Sequence, residues 1–308
     1  MNIKNIELKN NLILAPMAGY TDVAFREICK QCGAGLTVTE MVSAKALLYK
    51  SAKTEDLLVT SELETPSCVQ LFGHEPEVFE QVVKFDCLQK FDIIDLNMGC
   101  PAPKIFKNGD GSALLKDVNL AKKIISACVK NTNKPVTVKF RLGVDENTNV
   151  ATTFAKAYEE AGASLIAVHG RFTSQGYSGN VDLEQIAKVK QSVKIPVVAN
   201  GDIVNKQTYL NALKQTGCDG FMIGRGALGN PFVFCEILGT NKPFSKKEAV
   251  FKHYNMLFGL YDNTTVLLNM RKHLAQYLKN ENIDKNIKQK LLLENDINVL
   301  LNSLDKIL

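Results

Sequence analysis

Cys100 has the neighbours expected of a reactive thiol rather than of a core residue. It stands in Gly99-Cys100-Pro101, ahead of a loop that contains Gly109 and Gly111. A thiol held in such a loop could act as a nucleophile or as a proton donor. Because the sequence offers no dedicated base that would activate the thiol, proton donation is at least as well supported. For the other cysteines we expect small, buried, apolar side chains.

A lysine ends one of the apolar runs of the sequence, Val136-Thr137-Val138-Lys139. A lysine at the end of a buried strand needs a negative charge or another polar partner. An electron-accepting ring that becomes anionic on reduction would supply that charge. The alternative is a structural ion pair with Glu40, since ion pairs also account for such charges.

Two glycine-containing turns follow two other apolar runs, Asn200-Gly201-Asp202 and Gly224-Arg225-Gly226. The backbone N–H groups of such turns, next to a helix N-terminus, commonly bind phosphate. Arg225 could add a charge-assisted contact. The two turns together predict a cofactor that carries a phosphate group.

The elements that must position these residues are eight short apolar runs spaced about 30 residues apart, the size of a βα unit. Each run is continuous and rich in β-branched residues, which is typical of strands buried on both faces. Helical patterns separate the runs, and Gly33, Gly162 and Gly217 follow three of them as C-terminal caps. The pattern predicts an α/β fold, a (β/α)8 TIM barrel; a doubly wound sheet is the alternative, with usually fewer strands. The runs begin at residues 12, 36, 68, 93, 136, 165, 196 and 220.

In such a barrel the active site lies at the carboxyl ends of the strands. Strand-to-helix turns attract Gly and Asn on their own, but this does not explain why Cys, Lys, Arg, His and Gln also follow the runs. We therefore expect the residues after the runs to form one site. They are Pro16, Met17, Ala18, Gln70, Cys100, Lys139, Arg141, His169, Arg171, Asn200, Gly201, Asp202, Gly224 and Arg225.

The pattern changes after Pro243, and only helical signals remain. Ser245-Lys246-Lys247-Glu248 fits a capping box, and helices are predicted near 246–260, 264–279, 284–293 and 296–306. We divide the chain into a barrel domain, residues 1–240, and a small all-α domain, residues 241–308. The second carries 11 Lys+Arg and 7 Asp+Glu, most of the net charge of +5. This favours a polyanionic partner, although solvated lysine-rich helices give the same signal.

The composition excludes several other classes of protein. With 308 residues, 45% hydrophobic and 22% charged, the chain is globular rather than disordered. No apolar run is long enough to span a membrane and the first residues lack a signal peptide, so we expect a cytoplasmic protein. The 8 Cys are scattered, and Cys29-x-x-Cys32 has no second pair, so we expect reduced thiols and no metal site. Nothing demands an oligomer, so a monomer is expected.

The motifs, taken together, resemble those of the tRNA-dihydrouridine synthases. They cover the whole barrel in order, and the segment Met270-Arg271-Lys272-His273 extends the similarity into the helical domain, where it is most similar to the bacterial B-type subgroup. The matching barrel segments are residues 15–22, 70–73, 95–101, 109–115, 138–143, 168–171, 199–203 and 222–231.

The resemblance implies an FMN enzyme that uses NADPH to reduce the C5–C6 double bond of a uridine in the D-loop of tRNA, giving 5,6-dihydrouridine. Hydride would pass from flavin N5 to uracil C6, and Cys100 would protonate C5. A uridine inside a folded tRNA would have to be extruded to reach the barrel. The helical domain would hold the RNA backbone.

Site residues follow from the same resemblance, position by position. Lys139 would lie by the N1/O2 edge of the flavin and stabilise the negative charge of the reduced ring. The ring would also contact Pro16, Met17, Ala18 and Gln70. His169 would lie beside the cofactor. The ribityl chain and phosphate would be bound by Asn200, Gly201, Asp202, Gly224 and Arg225. The expected RNA contacts are Arg141, Arg171, Arg271, Lys272 and His273. The sequence departs from the family after Arg171, where Phe172-Thr173 replaces the usual Thr-Arg and removes one positive charge.

Two other functions are compatible with parts of this pattern. A flavoenzyme for free pyrimidines, similar to dihydroorotate dehydrogenase, would share the barrel and FMN but would not need the basic helical domain. An RNA-binding protein that has lost catalysis would not need Cys100, Lys139 or the phosphate-binding turns. Flavin content and activity on tRNA distinguish the three.

Overall fold

The structure is a computed structural model that describes residues 1–308, except for the side chains of residues 52 and 53. It begins with an antiparallel pair of short strands, β1 (Asn2–Ile3) and β2 (Ile6–Glu7). Ile3 and Leu8 pack against apolar side chains such as Ile13 and Ile93 in the barrel strands. The first residues of the chain therefore help to bury the interior of the barrel.

The described residues form a closed barrel of parallel strands, in which each strand pairs with the next along the chain and the last pairs with the first. The predicted barrel is confirmed, and every predicted strand begins within one residue of its observed start. The strands are β3 (Leu12–Leu14), β4 (Leu36–Ser43), β5 (Ser67–Phe72), β6 (Ile93–Met98), β7 (Val136–Arg141), β8 (Leu165–His169), β9 (Val197–Asn200) and β10 (Gly220–Ile223).

Helices between and after the strands cover the barrel, and the largest apolar core lies between them and the strands. Gly33, Gly162 and Gly217 follow three helices with φ of +103°, +96° and +60°, as the predicted caps require. The helices are α1 (Val23–Gln31), α2 (Ala44–Leu48), α3 (Ala52–Glu55), α4 (Pro76–Val82), α5 (Asp86–Gln89), α6 (Pro103–Lys107), α7 (Val118–Asn131), α8 (Ala151–Glu160), α9 (Leu183–Ser192), α10 (Lys206–Thr216) and α11 (Val233–Leu238), with 3-10 turns at Asp56–Leu58, Gly111–Lys116 and Arg225–Ala227.

The rest of the chain is helical, as the sequence predicts, and Ser245 forms the expected capping box with Glu248. A second apolar core joins these helices, and Ala24 of α1 is part of it. The helices are α12 (Lys246–Phe258), α13 (Asn263–Tyr277), α14 (Lys285–Leu293) and α15 (Ile297–Ile307). Among the described residues, no helix combines the length and the apolar character needed to cross a membrane.

The barrel and the C-terminal helices meet at a close backbone contact. Gly229, in the segment after β10, has φ of +69°, and a Cβ atom at this position would lie 2.2 Å from the carbonyl oxygen of Gln276 on α13. Both the backbone conformation and the lack of space require glycine there. The contact fixes α13 directly against the segment that leaves the last barrel strand.

Candidate active site at the carboxyl ends of the barrel strands

The strand register brings the predicted site residues to the same end of the barrel. Asn97 on β6 pairs with Lys139 on β7. His169 on β8 pairs with Arg141 on β7 and with Asn200 on β9. Because these positions lie at or near the carboxyl ends of their strands, their side chains and the loops that follow them surround one opening of the barrel.

The loop that carries Cys100 is held at both its amide and its carbonyl group. The Asn97 Oδ1 atom accepts hydrogen bonds from the N–H groups of Gly99 (3.2 Å) and Cys100 (2.9 Å). The Cys100 carbonyl accepts from the Ser112 N–H group (3.1 Å) and hydroxyl (2.9 Å). A Cβ atom on Gly111 would lie 2.9 Å from that carbonyl oxygen, so glycine allows the two segments to approach. The thiol is therefore presented from a rigid loop.

The exposure of the cysteines agrees with the special position of Cys100, which is partly buried at the barrel end. The expectation that all other cysteines are buried is wrong for Cys87, which is exposed on α5. The remaining six are buried, and burial raises the pKa of thiols such as Cys29, Cys68 and Cys128. These thiols stay protonated and act as small apolar side chains.

A chain of buried hydrogen bonds under the loop orients Asn97. Asp95 accepts from the Thr137 hydroxyl (2.5 Å) and from the Gln70 side-chain amide N–H (2.6 Å). The Gln70 carbonyl oxygen, in turn, accepts from the Asn97 side-chain amide at 2.8 Å. Because a carboxylate only accepts, it fixes the orientation of both amides, which leaves the Asn97 oxygen facing the Cys100 N–H group. We name this chain of hydrogen bonds the Asp95 relay. Gln70 is fully buried in it, and its expected contact with the flavin stays a prediction.

Lys139 lies next to this chain and not in an ion pair with Glu40. Burial and the nearby charge of Arg141 lower the pKa of Lys139 from 10.5 to about 8, against the attraction of Asp95. Glu40 instead accepts a hydrogen bond from the Gly19 N–H group, and burial raises its pKa. The alternative of a Lys139–Glu40 pair is therefore wrong, and the Lys139 ammonium is available at the barrel end.

His169 is buried among cations. Burial lowers its pKa well below the usual value, and Lys139, Arg141, Arg171 and Arg225 lower it further. The imidazole is therefore neutral at pH 7, and it can accept one hydrogen bond and donate another. A neutral imidazole suits contact with an uncharged polar group of a cofactor.

Arg141 and Arg171 are inside the protein, although the sequence analysis assigns them to RNA. Each side chain is 2% exposed. Arg141 donates to the carbonyl groups of Gly99 (2.9 Å), Phe172 (3.0 Å) and Gly176 (2.8 Å). Arg171 donates to carbonyl groups of residues 178 and 179 and pairs with Asp202 at 2.5 Å. We correct their role, since both guanidinium groups hold the loop 172–180 in place and neither presents its charge to solvent.

This loop presents Tyr177, a residue that the sequence analysis missed. The side chain is 60% exposed. Its ring centroid lies 5.6 Å from the Arg141 guanidinium carbon, 5.1 Å from that of Arg225, and 6.5 Å from the His169 ring centroid. An exposed aromatic ring between two cations can stack on another flat ring. The available signal was an aromatic residue next to Gly176 in a loop after a strand.

The two glycine-containing turns form a cradle of free backbone donors. Within the described residues, the N–H groups of Gly224, Arg225 and Gly226 donate no hydrogen bond to the protein. A Cβ atom on Gly224 would meet no atom closer than 3.5 Å, so space is left above this turn. Asp202, at φ of +50°, pairs with Arg225 at 3.1 Å. The cradle can bind a phosphate group, as the sequence predicts.

The segment Arg271-Lys272-His273 lies on α13, and two of its side chains face the barrel. The Lys272 Nζ atom lies 5.8 Å from the ring centroid of Tyr20, close to the loop after β3. Arg271 donates to Asn295 at 2.6 Å. His273 is 1% exposed, with its Nε2 atom 3.0 Å from the Asp22 carboxylate, and burial lowers its pKa to about 4. The expected RNA contact of His273 is corrected accordingly, because the side chain is not at the surface.

The chain is similar to known proteins in sequence and in fold. The family model "Dihydrouridine synthase (Dus)" matches residues 13–308. A "Probable tRNA-dihydrouridine synthase" of Rickettsia conorii is 44% identical over 287 residues, which are 90% of this chain and 87% of that protein. A "tRNA-dihydrouridine synthase B" of Shewanella oneidensis is 39% identical over 290 residues, 91% of this chain and 90% of that protein.

Among solved structures, morphinone reductase has the same barrel fold, with a TM-score of 0.58 at 12% identity over 78% of this chain and 89% of that chain. A 2-naphthoyl-CoA reductase complex has a TM-score of 0.62 at 12% identity over 79% of this chain and 52% of that chain. These structures support the fold alone. The sequence matches also show the family: the chain belongs to the dihydrouridine synthases.

Proposed function

We propose that this protein reduces a uridine in the D-loop of tRNA to 5,6-dihydrouridine, with FMN as its bound cofactor and NADPH as the reductant. The observation that carries the proposal is the meeting of three features at one barrel end: the loop-held thiol of Cys100, the cation of Lys139, and the cradle at Gly224, Arg225 and Gly226. The names of the relatives supply the substrate.

The residues present fit an FMN molecule. The free N–H groups at Gly224–Gly226 and the half-exposed Arg225 suit a phosphate group. Lys139, with a pKa lowered to about 8, suits a neighbouring ring that takes up negative charge. The other expected contacts, Pro16, Met17, Ala18, Gln70, His169, Asn200, Gly201 and Asp202, line the same barrel end or the strands below it.

When bound, the flavin supplies the hydride. The chain supplies the proton and the geometry. Cys100 holds the proton on its Sγ atom, and the hydrogen bonds from Asn97 and Ser112 keep its loop in one position. Lys139 places a positive charge where negative charge develops, which is the largest single contribution in many enzymes. Tyr177 offers a flat face to an extruded base.

The test uses purified protein, NADPH and tRNA that lacks dihydrouridine. We expect a gain of about two daltons at a D-loop uridine, mapped by mass spectrometry, and bound FMN in the purified protein. Free dihydroorotate and uracil are offered in parallel. If a free pyrimidine reacts and tRNA is not modified, the proposal is wrong and the protein is a flavoenzyme for free pyrimidines. Loss of flavin and of both activities would favour a non-catalytic RNA-binding protein.

The Asp95 relay predicts a large effect from an isosteric change. Asp95→Asn introduces an N–H donor, which permits the Gln70 amide, and with it the Asn97 amide, to turn over. We expect kcat to fall by about 100-fold, because small displacements of a catalytic group cost that much. Thermal unfolding and FMN content measured beside the rate separate misplacement from unfolding.

Asp92→Asn is the matched control for this variant. Asp92 precedes the same strand, at the opposite end of the barrel, and its carboxylate accepts a hydrogen bond from the Ser67 N–H group at 2.7 Å. Its substitution should lower the unfolding temperature without lowering kcat at permissive temperatures. Equal loss of kcat in both variants would contradict a specific role of the Asp95 relay.

The cradle predicts that Gly226→Ala weakens cofactor binding. A Cβ atom at this position would lie 2.2 Å from the Ile203 carbonyl oxygen and 2.9 Å from the Val204 Cα atom, so the two turns must separate. Overpacking of this kind costs about 1–3 kcal/mol of stability. We expect FMN affinity, measured by flavin fluorescence, to fall as well.

Gly217→Ala provides the comparison for the cradle variant. Gly217 has φ of +60° and no atom within 4 Å of an added Cβ, so alanine adds backbone strain of about 1–2 kcal/mol and no clash. This variant should lose stability and keep its FMN affinity. A cradle variant with unchanged FMN affinity would exclude the phosphate from this place.

The proposal also assigns a role to each of the two parts of the chain. Residues 1–240 would form the catalytic domain, and residues 241–308, with Lys272 and Arg271, would bind the RNA backbone. Lys272 supports this assignment because it lies beside Tyr20 at the barrel end. We propose that the protein works in the cytoplasm as a monomer.

A further inference from the structure

A group of three side chains outside the barrel-end site brings together ligands of the kind that bind metal ions. Asp22 precedes α1, His253 lies on α12, and His273 lies on α13. Each residue offers one ligand atom, and these atoms lie within 4.8 Å of one another. The group therefore joins the first helix of the barrel to both long helices of the C-terminal region.

The distances from Asp22 to the two histidines fit a common ion. The His253 Nε2 atom lies 3.2 Å and 3.4 Å from the two carboxylate oxygens of Asp22. The His273 Nε2 atom lies 3.0 Å from Asp22 Oδ2. Ligand atoms that bind one metal at about 2.0–2.1 Å are about 2.9–3.4 Å apart for coordination angles between octahedral and tetrahedral. Small movements of these side chains would let all three reach the same ion.

A well-aligned hydrogen bond inside the protein does not account for the Nε2 atom of His273. Its Nε2 atom is buried, and its one polar neighbour among the described residues is Asp22 Oδ2 at 3.0 Å, at an angle that does not form a well-aligned hydrogen bond. Buried polar atoms nearly always have a partner, and an ion is one explanation for those that have none. His273 is 1% exposed, so bulk water does not supply the partner. This poorly aligned nitrogen belongs to the same group as the ligand atoms of Asp22 and His253.

The surroundings are those that support a metal ligand. The His253 Nδ1 atom lies 3.3 Å from the Tyr277 hydroxyl, which can fix the ring with Nε2 toward the ion. Asp22 Oδ1 also accepts from the Phe25 N–H group at 2.9 Å, which holds the carboxylate. The rings of Phe25 and Tyr20 pack against the imidazoles and exclude solvent.

We propose that Asp22, His253 and His273 bind a divalent transition-metal ion of the zinc type, which fastens the C-terminal helices to the barrel. Two imidazoles and one carboxylate favour such an ion over Mg²⁺ or Ca²⁺, which prefer all-oxygen ligands. A water molecule would complete the coordination. The site is structural, since the ion links helices and its ligands are not those of the barrel-end site.

The experiment uses the full-length, tag-free protein, stripped with a chelating resin and titrated with Co²⁺, with Zn²⁺ as competitor. We expect one equivalent of Co²⁺ to give a visible d–d spectrum that Zn²⁺ abolishes, and either ion to raise the thermal unfolding temperature. Neither readout depends on tRNA or on flavin, so the result is independent of the proposed reaction. Absence of binding, or binding without a change in unfolding temperature, would overturn the proposal.

Substitutions of two of the three proposed ligands and of Tyr277 test where the ion binds. Asp22→Asn keeps a side chain that caps α1 but removes the carboxylate, and His273→Gln keeps a polar side chain of similar reach. Both should weaken Co²⁺ binding by more than about 100-fold, and Tyr277→Phe by about 10-fold. His74→Ala, which removes a histidine paired with Asp110 elsewhere, should bind like the parent protein. Equal binding in His273→Gln and the parent would place the ion elsewhere and refute the assignment.

Discussion

Cys100→Ala should abolish most of the reduction of tRNA uridine while leaving the fold and the flavin content intact. The thiol is the proton donor in the proposed reaction, and loss of a positioned general acid costs about 100- to 10,000-fold in rate. The loop should keep its place, because its hydrogen bonds to Asn97 and Ser112 use the backbone of Cys100. Single-turnover formation of dihydrouridine, measured by mass spectrometry, checks the rate.

Cys87→Ala is the matched control for the thiol, since Cys87 is exposed on α5, which leads into the amino end of β6. It should react at the parent rate. Reduction of bound flavin by NADPH should also be unchanged in Cys100→Ala, because that step needs no proton from the thiol. A Cys100→Ala enzyme that modifies tRNA as fast as the parent would remove Cys100 from the mechanism.

Lys139→Met should slow the reaction by about 100- to 1000-fold, the usual cost of removing one group that stabilises developing charge. Methionine matches the length of the lysine stem, so packing should be largely kept. The reduction of bound flavin by NADPH, followed by absorbance, measures this effect directly. A variant that is reduced at the parent rate would show that the ammonium serves only the fold.

The pH dependence provides an independent check on Lys139. Its pKa is lowered from 10.5 to about 8, so the cationic form declines as pH rises past 8, and the rate should decline with it. A bound negative group would move this decline to higher pH. Lys139→Arg stays charged throughout and should show no decline. Stability behaves oppositely, because the unfolded chain binds more protons between about pH 8 and 10.5, and the folded state therefore gains stability as pH rises.

The barrel strands were predictable because each is a continuous apolar run with a turn after it, and that pattern depends on neighbouring residues alone. The same holds for the capping box at Ser245 and for the turns that contain Gly201 and Gly224. In a closed parallel barrel, the end of every strand faces the same opening, so the predicted residues could be assigned to one site without knowledge of distances.

The direction of side chains was not predictable in this way. Arg141 and Arg171 follow strands just as Arg225 does, yet two of these guanidinium groups turn inward to carbonyl groups of the loop 172–180. Tyr177 is recognised as a stacking surface only from the two cations beside its ring, which lie far from it in the sequence or follow another strand. Asp22 and His253 are 231 residues apart, and no local pattern connects them. These features depend on tertiary contacts, which spacing does not encode.

The inward-facing arginines have a consequence for how RNA binding should respond to salt. A polyanion that binds a protein releases counterions in proportion to the phosphates that exposed cations neutralise. Arg141 is buried with its N–H groups bound to carbonyl groups, and Arg171 is buried in an ion pair with Asp202, so neither meets an RNA phosphate and neither contributes to this release. The slope of log affinity against log salt concentration therefore counts Lys272 and the other cations of the C-terminal helices, and it measures how many RNA phosphates those helices hold.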